Sequence, residues 1–241
     1  MIGWLDSFRA CDLASVALRL LMAMLFGGML GIERAKKGRA AGFRTYMFVC
    51  MGATLTVLLS QYESLMLAGP WSAAAQAAGA RTDVSRFGAQ VINGIGFLGA
   101  GTIIVTGRQE VKGLTTAAGL WASACMGIAI GAGFYECVIL AFFFILLSIR
   151  LLPYLETAIV ERARNMNIYV EFTALDAVGE IIAKIKAQDA QIYSVDIDRG
   201  REKYAQSPSA VFSFRLNQRR GHEQVLTAIA EVETITMIDE V

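Results

Sequence analysis

Residues Arg86–Trp121 read RFGAQVINGIGFLGAGTIIVTGRQEVKGLTTAAGLW, and this stretch decides the fold. From Gly88 to Thr106 there is no charge, yet the run holds Gly88, Gly94, Gly96, Gly99 and Gly101 beside Gln90, Asn93 and Thr102. A segment so apolar and so rich in small residues suits a helix packed against other helices in a bilayer. Close approach there supplies van der Waals contact that the hydrophobic effect does not. The literal Gly94-x-Gly-x-x-Gly99 is not a dinucleotide fingerprint. That motif needs a preceding strand and an acidic residue about 20 positions on, whereas the first acid here is Glu110.

The whole chain agrees with a membrane reading. Its 241 residues are 55% hydrophobic and 18% charged, with a mean hydropathy of +0.49, which is too apolar for an ordinary soluble domain. The net charge of +1 hides an asymmetry. Residues 1–165 carry 14 Lys/Arg against 9 Asp/Glu, and residues 166–241 carry 8 against 12. A basic membrane part is followed by an acidic soluble part.

A span needs about 20 apolar residues. Five are expected: 13–32, 45–62, 88–105, 114–133 and 135–152. Arg19, near the start of the first, is expected to snorkel to the surface. Basic residues cluster after the first span (Arg34, Lys36, Lys37, Arg39, Arg44), after the third (Arg108, Lys112) and after the fifth (Arg150, Arg162, Arg164). The positive-inside rule puts those three regions in the cytoplasm and the N-terminus outside. The outer loop 63–87, mostly Ala, Ser and Gly, is expected to be partly ordered at best.

Residues 153–165 form a charged linker or helix. From 166 to 241 the period changes. Ile168, Val170 and Phe172 alternate like a strand, whereas Val178, Ile181, Ile182 and Ile185 follow a helix face. Strands are expected at 192–197, 211–216 and 234–238, a turn-rich segment at 198–209, and a second helix through Val225, Leu226, Ile229 and Val232. The order βαββαβ is the split ferredoxin-like unit. The predicted fold class is thus a five-helix polytopic membrane domain plus a small α+β cytoplasmic domain.

Small residues recur at helix-packing intervals: Gly27 and Gly31 on the first span, Gly94, Gly96, Gly99 and Gly101 on the third, and Gly119, Ser123, Gly127 and Gly131 on the fourth. At 100° per residue, Gln90 and Asn93 share one face with Phe97 and Gly101. Polar groups in hydrocarbon are paired or face a wet cavity, so the two amides mark either interhelical hydrogen bonds or a polar path. Glu33 at the inner boundary is read as pairing with Arg34 or Arg44, or as helping to bind a cation. Asp83 is a helix cap, and Thr115 with Thr116 supplies cap and packing hydroxyls. Mg²⁺ takes oxygen ligands, and Glu33, Gln90 and Asn93 carry suitable ones. No cofactor is expected. Cys11, Cys50, Cys125 and Cys137 lack metal spacing and are read as small packing residues, and His222 stands alone, so metal or triad chemistry on histidine is not expected. No catalytic motif occurs, and the reading is of a protein that is not an enzyme. The positive-inside rule accounts for the basic loop without nucleic acid, with anionic lipid headgroups as the natural contact.

Several of these motifs occur together and in order: Gly28-Met-Leu-Gly-Ile-Glu-Arg34, Ala41-Gly-Phe-Arg-Thr45, Arg86-Phe-Gly-Ala-Gln through Gly101, and Gly113-Leu-Thr-Thr-Ala-Ala118 before Trp121. In this the chain resembles the bacterial MgtC/SapB membrane-protein family over about residues 15–150. The resemblance implies an inner-membrane protein with five spans and an ACT-like cytoplasmic domain. Its shared positions fall at Glu33, Arg34, Arg44, Thr45, Arg86, Gln90, Gly94, Gly96, Gly99, Gly101, Leu114, Thr115 and Trp121. It further implies a regulator in adaptation to magnesium limitation (Mg²⁺ and ATP homeostasis, with virulence in some members). Such a regulator would act as a homo-oligomer on membrane partners such as the F-type ATP synthase or a transport ATPase. The alternative is a Mg²⁺ transporter or channel with its path at Gln90 and Asn93.

Overall fold

The computed structural model describes residues 9–80, 83–106, 111–160, 163–198, 207–217 and 221–240. The chain divides into two units, 1–149 and 150–241.

The first unit is helical. Its elements are α1 (Leu13–Lys36), α2 (Phe43–Ala68), α3 (Ser72–Ala78), α4 (Val84–Ala100), a two-residue β1 (Ile104–Val105) paired antiparallel with β2 (Val111–Lys112), α5 (Leu114–Gly131) and α6 (Tyr135–Val160). Four of them, α1, α2, α5 and α6, are long and apolar enough to cross a membrane. The remaining expected span corresponds to α4. The segment expected to span 88–105 forms a 17-residue helix that ends at Ala100. Thr102 stops it by turning its hydroxyl back onto Gly99 O at 2.8 Å, and Ile104–Val105 then enters the short hairpin. Arg108 and Glu110 lie outside the described residues. The spacer at 63–87 is also more ordered than expected. Its start continues α2, and the Ala-rich run SAAAQAA forms α3, as Ala's high helix propensity favours. Arg81 lies outside the described residues.

α2 is the middle of the bundle, and glycines on both neighbours let its backbone come close. A Cβ at Gly27 would lie 2.7 Å from Cys50 Cβ, and one at Gly31 2.6 Å from Phe43 Cα. On the other side, a Cβ at Gly127 would collide with Cys50 O, and one at Gly131 would come 2.8 Å from Thr54 O. Ser123 donates to Tyr46 O at 3.0 Å and Thr54 donates to Gly127 O at 2.8 Å. α6 joins through Phe26 and Phe142, whose ring centroids are 4.7 Å apart, but most of its surface is exposed.

Arg19 does not snorkel. It is 0% exposed. Its Nη1 donates to Gln61 Oε1 at 2.8 Å and to Gly131 O at 2.9 Å, and its Nε donates to Tyr135 Oη at 3.1 Å. The guanidinium fork therefore joins α1 to α2, to the last turn of α5 and to the first residue of α6. A cation there also complements the negative end of the α5 dipole. Arg9 reinforces the same end, with Nε on Gly133 O at 3.1 Å and Nη2 on Glu136 at 2.7 Å.

The second unit begins on α6, which runs through Pro153 to Val160, so most of the expected linker is helix. It continues with β3 (Asn165–Phe172), α7 (Ala177–Ala187), β4 (Ala190–Asp198), β5 (Ser209–Leu216), α8 (His222–Ala230) and β6 (Ile235–Glu240). The sheet order is β4-β5-β3-β6, all antiparallel. Alternation places Met166, Ile168, Val170 and Phe172 of β3 and Phe212 and Phe214 of β5 in one core with Ile181, Ile185, Val225 and Ile229 of the helices. His222 ties the start of α8 to the edge, with Nδ1 2.7 Å from Glu240 Oε1 and Nε2 2.9 Å from Ala163 O. Of the expected turn-rich segment, residues 199–206 lie outside the described residues.

Removing the Arg19 fork leaves Gly131 O, Gln61 and Tyr135 short of a donor or acceptor in a buried site. Arg19→Leu is expected to cost about 3–5 kcal/mol, read as a large drop in Tm in detergent micelles. Arg19→Lys keeps the charge and loses the fork, so it should fall between. A Tm unchanged in Arg19→Leu would refute this account.

Candidate functional site

Two polar regions of the first unit collect the residues singled out by sequence. The first is the outer face of α4. Asp83 caps this helix by accepting from Ser85 N at 3.1 Å and Ser85 Oγ at 2.7 Å. The Ser85 hydroxyl and N–H hold its carboxyl below the usual range. α4 packs on α2 and α5 through Val91, Ile95 and Gly99, with Gly99 facing Ala117. Gln90 and Asn93 lie on the opposite, exposed side, and so does Phe97 at 84% exposure. A Cβ at Gly94 or Gly96 would meet nothing within 4 Å, and at Gly101 it would meet only carbonyls of its own helix. These three glycines make no interhelical contact among the described residues. Arg86 is exposed at the start of the same helix. The structure therefore does not bring Glu33, Gln90 and Asn93 together.

The second region lies where α1 ends and α5 begins. Glu33 is tied by Arg34 Nε at 2.8 Å and Lys37 Nζ at 2.7 Å, so the expected boundary ion pair forms with Arg34 and Lys37, and Arg44 is elsewhere. Arg34 also lines a cavity of about 430 Å³ with Arg39, Thr102, Lys112, Thr115 and Thr116. These come from the last turn of α1, the α1–α2 loop, the residues just after α4, β2 and the first turn of α5. Gly113 makes that junction possible. Its φ is +99°, a region that favours glycine, and a Cβ on it would collide with Thr102 O. As the N-cap of α5 it offers no side-chain cap. Tyr46 pins the turn by donating to Thr116 O at 3.2 Å, and Gly119 lies directly against the Tyr46 hydroxyl.

Arg44 and Thr45 stand at the rim of a third feature, an open and mainly apolar groove of about 760 Å³. Phe48 and Val49 of α2 and Val91, Ile95 and Leu98 of α4 line it. Among the described residues no group of three or more His, Cys, Asp or Glu could hold a metal ion. Sequence reading missed Arg39 and Lys112 as members of a site, because each was counted only as loop charge. The signal that could have found them is Gly113 at the helix start, two residues before Thr115 and Thr116.

Four apolar helices of spanning length, joined to an α+β unit, define a polytopic membrane protein. The model of the MgtC family matches residues 20–158, and the chain belongs to that family. It is 28% identical to Protein SapB of Bacillus subtilis, over 91% of this chain and 92% of that protein. It is 34% identical to YhiD of Escherichia coli K12, whose name offers it as a candidate magnesium transporter, over 68% of this chain and 70% of that one. It is 35% identical to Protein MgtC of Brucella abortus, over 73% and 68%.

The glycines divide by what they meet, and substitution separates the classes. Gly119→Ala or Gly127→Ala forces overlap with Tyr46 or the α2 backbone and is expected to cost about 1–3 kcal/mol. Gly96→Ala has open space and should leave the Tm of the detergent-solubilised monomer unchanged. Equal losses at all three positions would show that the α5–α2 contact is not what the glycines serve.

Proposed function

We propose that this chain is a non-enzymatic regulator of the inner membrane that serves adaptation to magnesium limitation and acts by binding other membrane proteins. The observation that carries the reading is the outward face of α4. In hydrocarbon a side-chain amide without a partner is costly, and Gln90 and Asn93 point away from their own bundle. Lipid suits the exposed Leu and Phe of α6, such as Leu140, Phe143 and Phe144, but not two amides one helical turn apart. Open glycines at 94 and 96 permit a second helix to approach. The partner is a helix of another membrane protein, with an F-type ATP synthase or a transport ATPase implied by the family resemblance, or a second copy of this chain in a homo-oligomer. The basic residues at 34–44 support a cytoplasmic setting for that end of the bundle, with the N-terminus outside. The C-terminal unit, with its βαββαβ order and antiparallel sheet, is read as a ferredoxin-like, ACT-like module that senses or oligomerises in the cytoplasm.

A second reading draws on the same face. In an oligomer the amides of several copies would line a polar path, and the chain would pass Mg²⁺. The name of the related YhiD favours it.

Interhelical hydrogen bonds of this kind contribute about 1–2 kcal/mol. The double substitution Gln90→Leu/Asn93→Leu should therefore weaken partner recovery from solubilised membranes about tenfold while leaving the chain's own Tm unchanged. Undiminished recovery would refute the contact. Mg²⁺ flux in proteoliposomes of the pure chain that Asn93→Leu abolishes would replace the regulator with the transporter. The topology has its own test. In a chain whose native cysteines are replaced by alanine, Lys36→Cys should be labelled by an impermeant maleimide only in inverted vesicles. Labelling from outside intact cells would reverse the orientation.

A further inference from the structure

The groove between α2 and α4 is lined on α4 by Val91, Ile95 and Leu98 rather than by the outward amides, so it is separate from the partner contact. Its form follows from how the two helices run. The Ser60 hydroxyl donates to Val84 O at 3.2 Å, so α4 starts beside the later half of α2 and returns antiparallel toward Arg44. That contact lies about one turn beyond Thr56, the last lining residue of α2. The groove is bounded there, and its other end carries Arg44 and Thr45. Length, charge and depth then describe an occupant. From Arg44 to Thr56 the axis of α2 rises about 18 Å, against about 15 Å for half of a bilayer core. The charged residue of the lining is Arg44, which is exposed at one end, and no carboxylate lines the groove beside it. Deeper in, the Thr56 hydroxyl is turned back onto Gly52 O at 2.7 Å. Little is left there to hold a water, which needs roughly two to four polar partners. Gly52 widens the space. Glycine inside a helix costs stability, and Gly27, Gly31, Gly127 and Gly131 offset that by close contact, whereas a Cβ at Gly52 would meet nothing within 4 Å.

A cleft that neither side chains nor water fill forfeits dispersion contacts along its walls. An apolar chain of one leaflet's length, with an anion at the end beside Arg44, restores them. We infer that this groove holds one acyl chain of an anionic phospholipid, from the leaflet on the side of the basic loop, with the headgroup phosphate on the Arg44 guanidinium and the Thr45 hydroxyl. Guanidinium suits phosphate oxygens in a fork, and basic residues at the ends of spanning helices attract anionic lipid. The acyl chain lies along Phe48 and Gly52 of α2 and Ile95 and Val91 of α4, over a floor at Ala124 of α5. A helix fits less well. A cylinder about 10 Å across and 18 Å long takes about 1,400 Å³, against about 760 Å³ here, and an apolar helix brings no charge to Arg44. Either orientation of the chain in the membrane leaves the pairing intact, because the leaflet and the basic loop share a side.

The test uses the full chain in dodecyl maltoside, read by Tm as phosphatidylglycerol or phosphatidylcholine with the same acyl chains is added. Phosphatidylglycerol should raise the Tm saturably and at lower concentration than phosphatidylcholine. Arg44 and Gly52 are exposed, so Arg44→Gln and Gly52→Leu are expected to keep the lipid-free Tm of the parent. Arg44→Gln should raise the phosphatidylglycerol concentration for half-effect about fivefold and leave phosphatidylcholine unchanged. Gly52→Leu, which fills the groove, should weaken the effect of both lipids about tenfold. A second measurement needs no variant. Phosphatidylglycerol with a photoreactive diazirine in its acyl chain should label residues 48–56 or 91–98 of the parent. A third asks whether protein covers the groove instead. In a chain free of other cysteines, Phe48→Cys should give no disulfide between copies in native membranes. The proposal is overturned if the parent does not prefer phosphatidylglycerol, if either variant responds as the parent does, if the label is confined to α6, or if Phe48→Cys joins two copies.

Discussion

The contact on which the membrane unit depends is backbone against backbone at α2. Without a hydrophobic drive between helices in lipid, association rests on how closely they approach. Here the approach is close on both sides of one helix. Gly27 and Gly31 of α1 meet one side, and Gly127 and Gly131 of α5 meet the other. The small residues recur every four positions, one row per helix, so each row lies along a single face. Ser123 and Thr54 then add hydrogen bonds across a gap that only such a row leaves narrow enough. Once α1, α2 and α5 are locked in this way, α4 is left on the outside with one flank of Val91, Ile95 and Gly99 turned inward. The amides then have nowhere to face but out.

This explains which parts of the structure were legible in the sequence. The rows on α1 and α5 could be read because spacing alone puts Gly27 with Gly31 and Gly119 with Gly127. The C-terminal unit could be read because Ile168, Val170 and Phe172 alternate and Ile181 and Ile185 do not. A helical wheel also grouped Gln90 with Asn93. It gives an angle about the helix axis, however, and not which neighbour lies at that angle, so it could not place the pair outside. Arg19 failed for a related reason. Its depth in the span was visible, but the acceptors that hold it are 42, 112 and 116 residues away in the chain. The end of α4 failed because a count of apolar residues runs on through Val105, while Thr102 bonding back to Gly99 ends the helix locally. The basic cavity was invisible as a unit because its charges lie in segments that look like ordinary loops.

The two ends of α5 show how the same helix dipole meets opposite treatment. At its C-terminal end the chain supplies its own cation. Arg19 is fully buried against Gly131 O, and the favourable dipole interaction offsets part of the cost of dehydrating it. At the N-terminal end the chain supplies cations again, and there the sign is wrong. A capping Asp or Ser at position 113 would satisfy the dipole locally, as Asp83 does for α4. Position 113 excludes both, since its φ of +99° and the nearby Thr102 carbonyl leave no room for a side chain. The two ends of α5 are thus set by two glycines in opposite ways: Gly131 brings its carbonyl to Arg19 at one end, and Gly113 lets the turn close against Thr102 at the other, where Glu33 is the carboxylate beside Arg34.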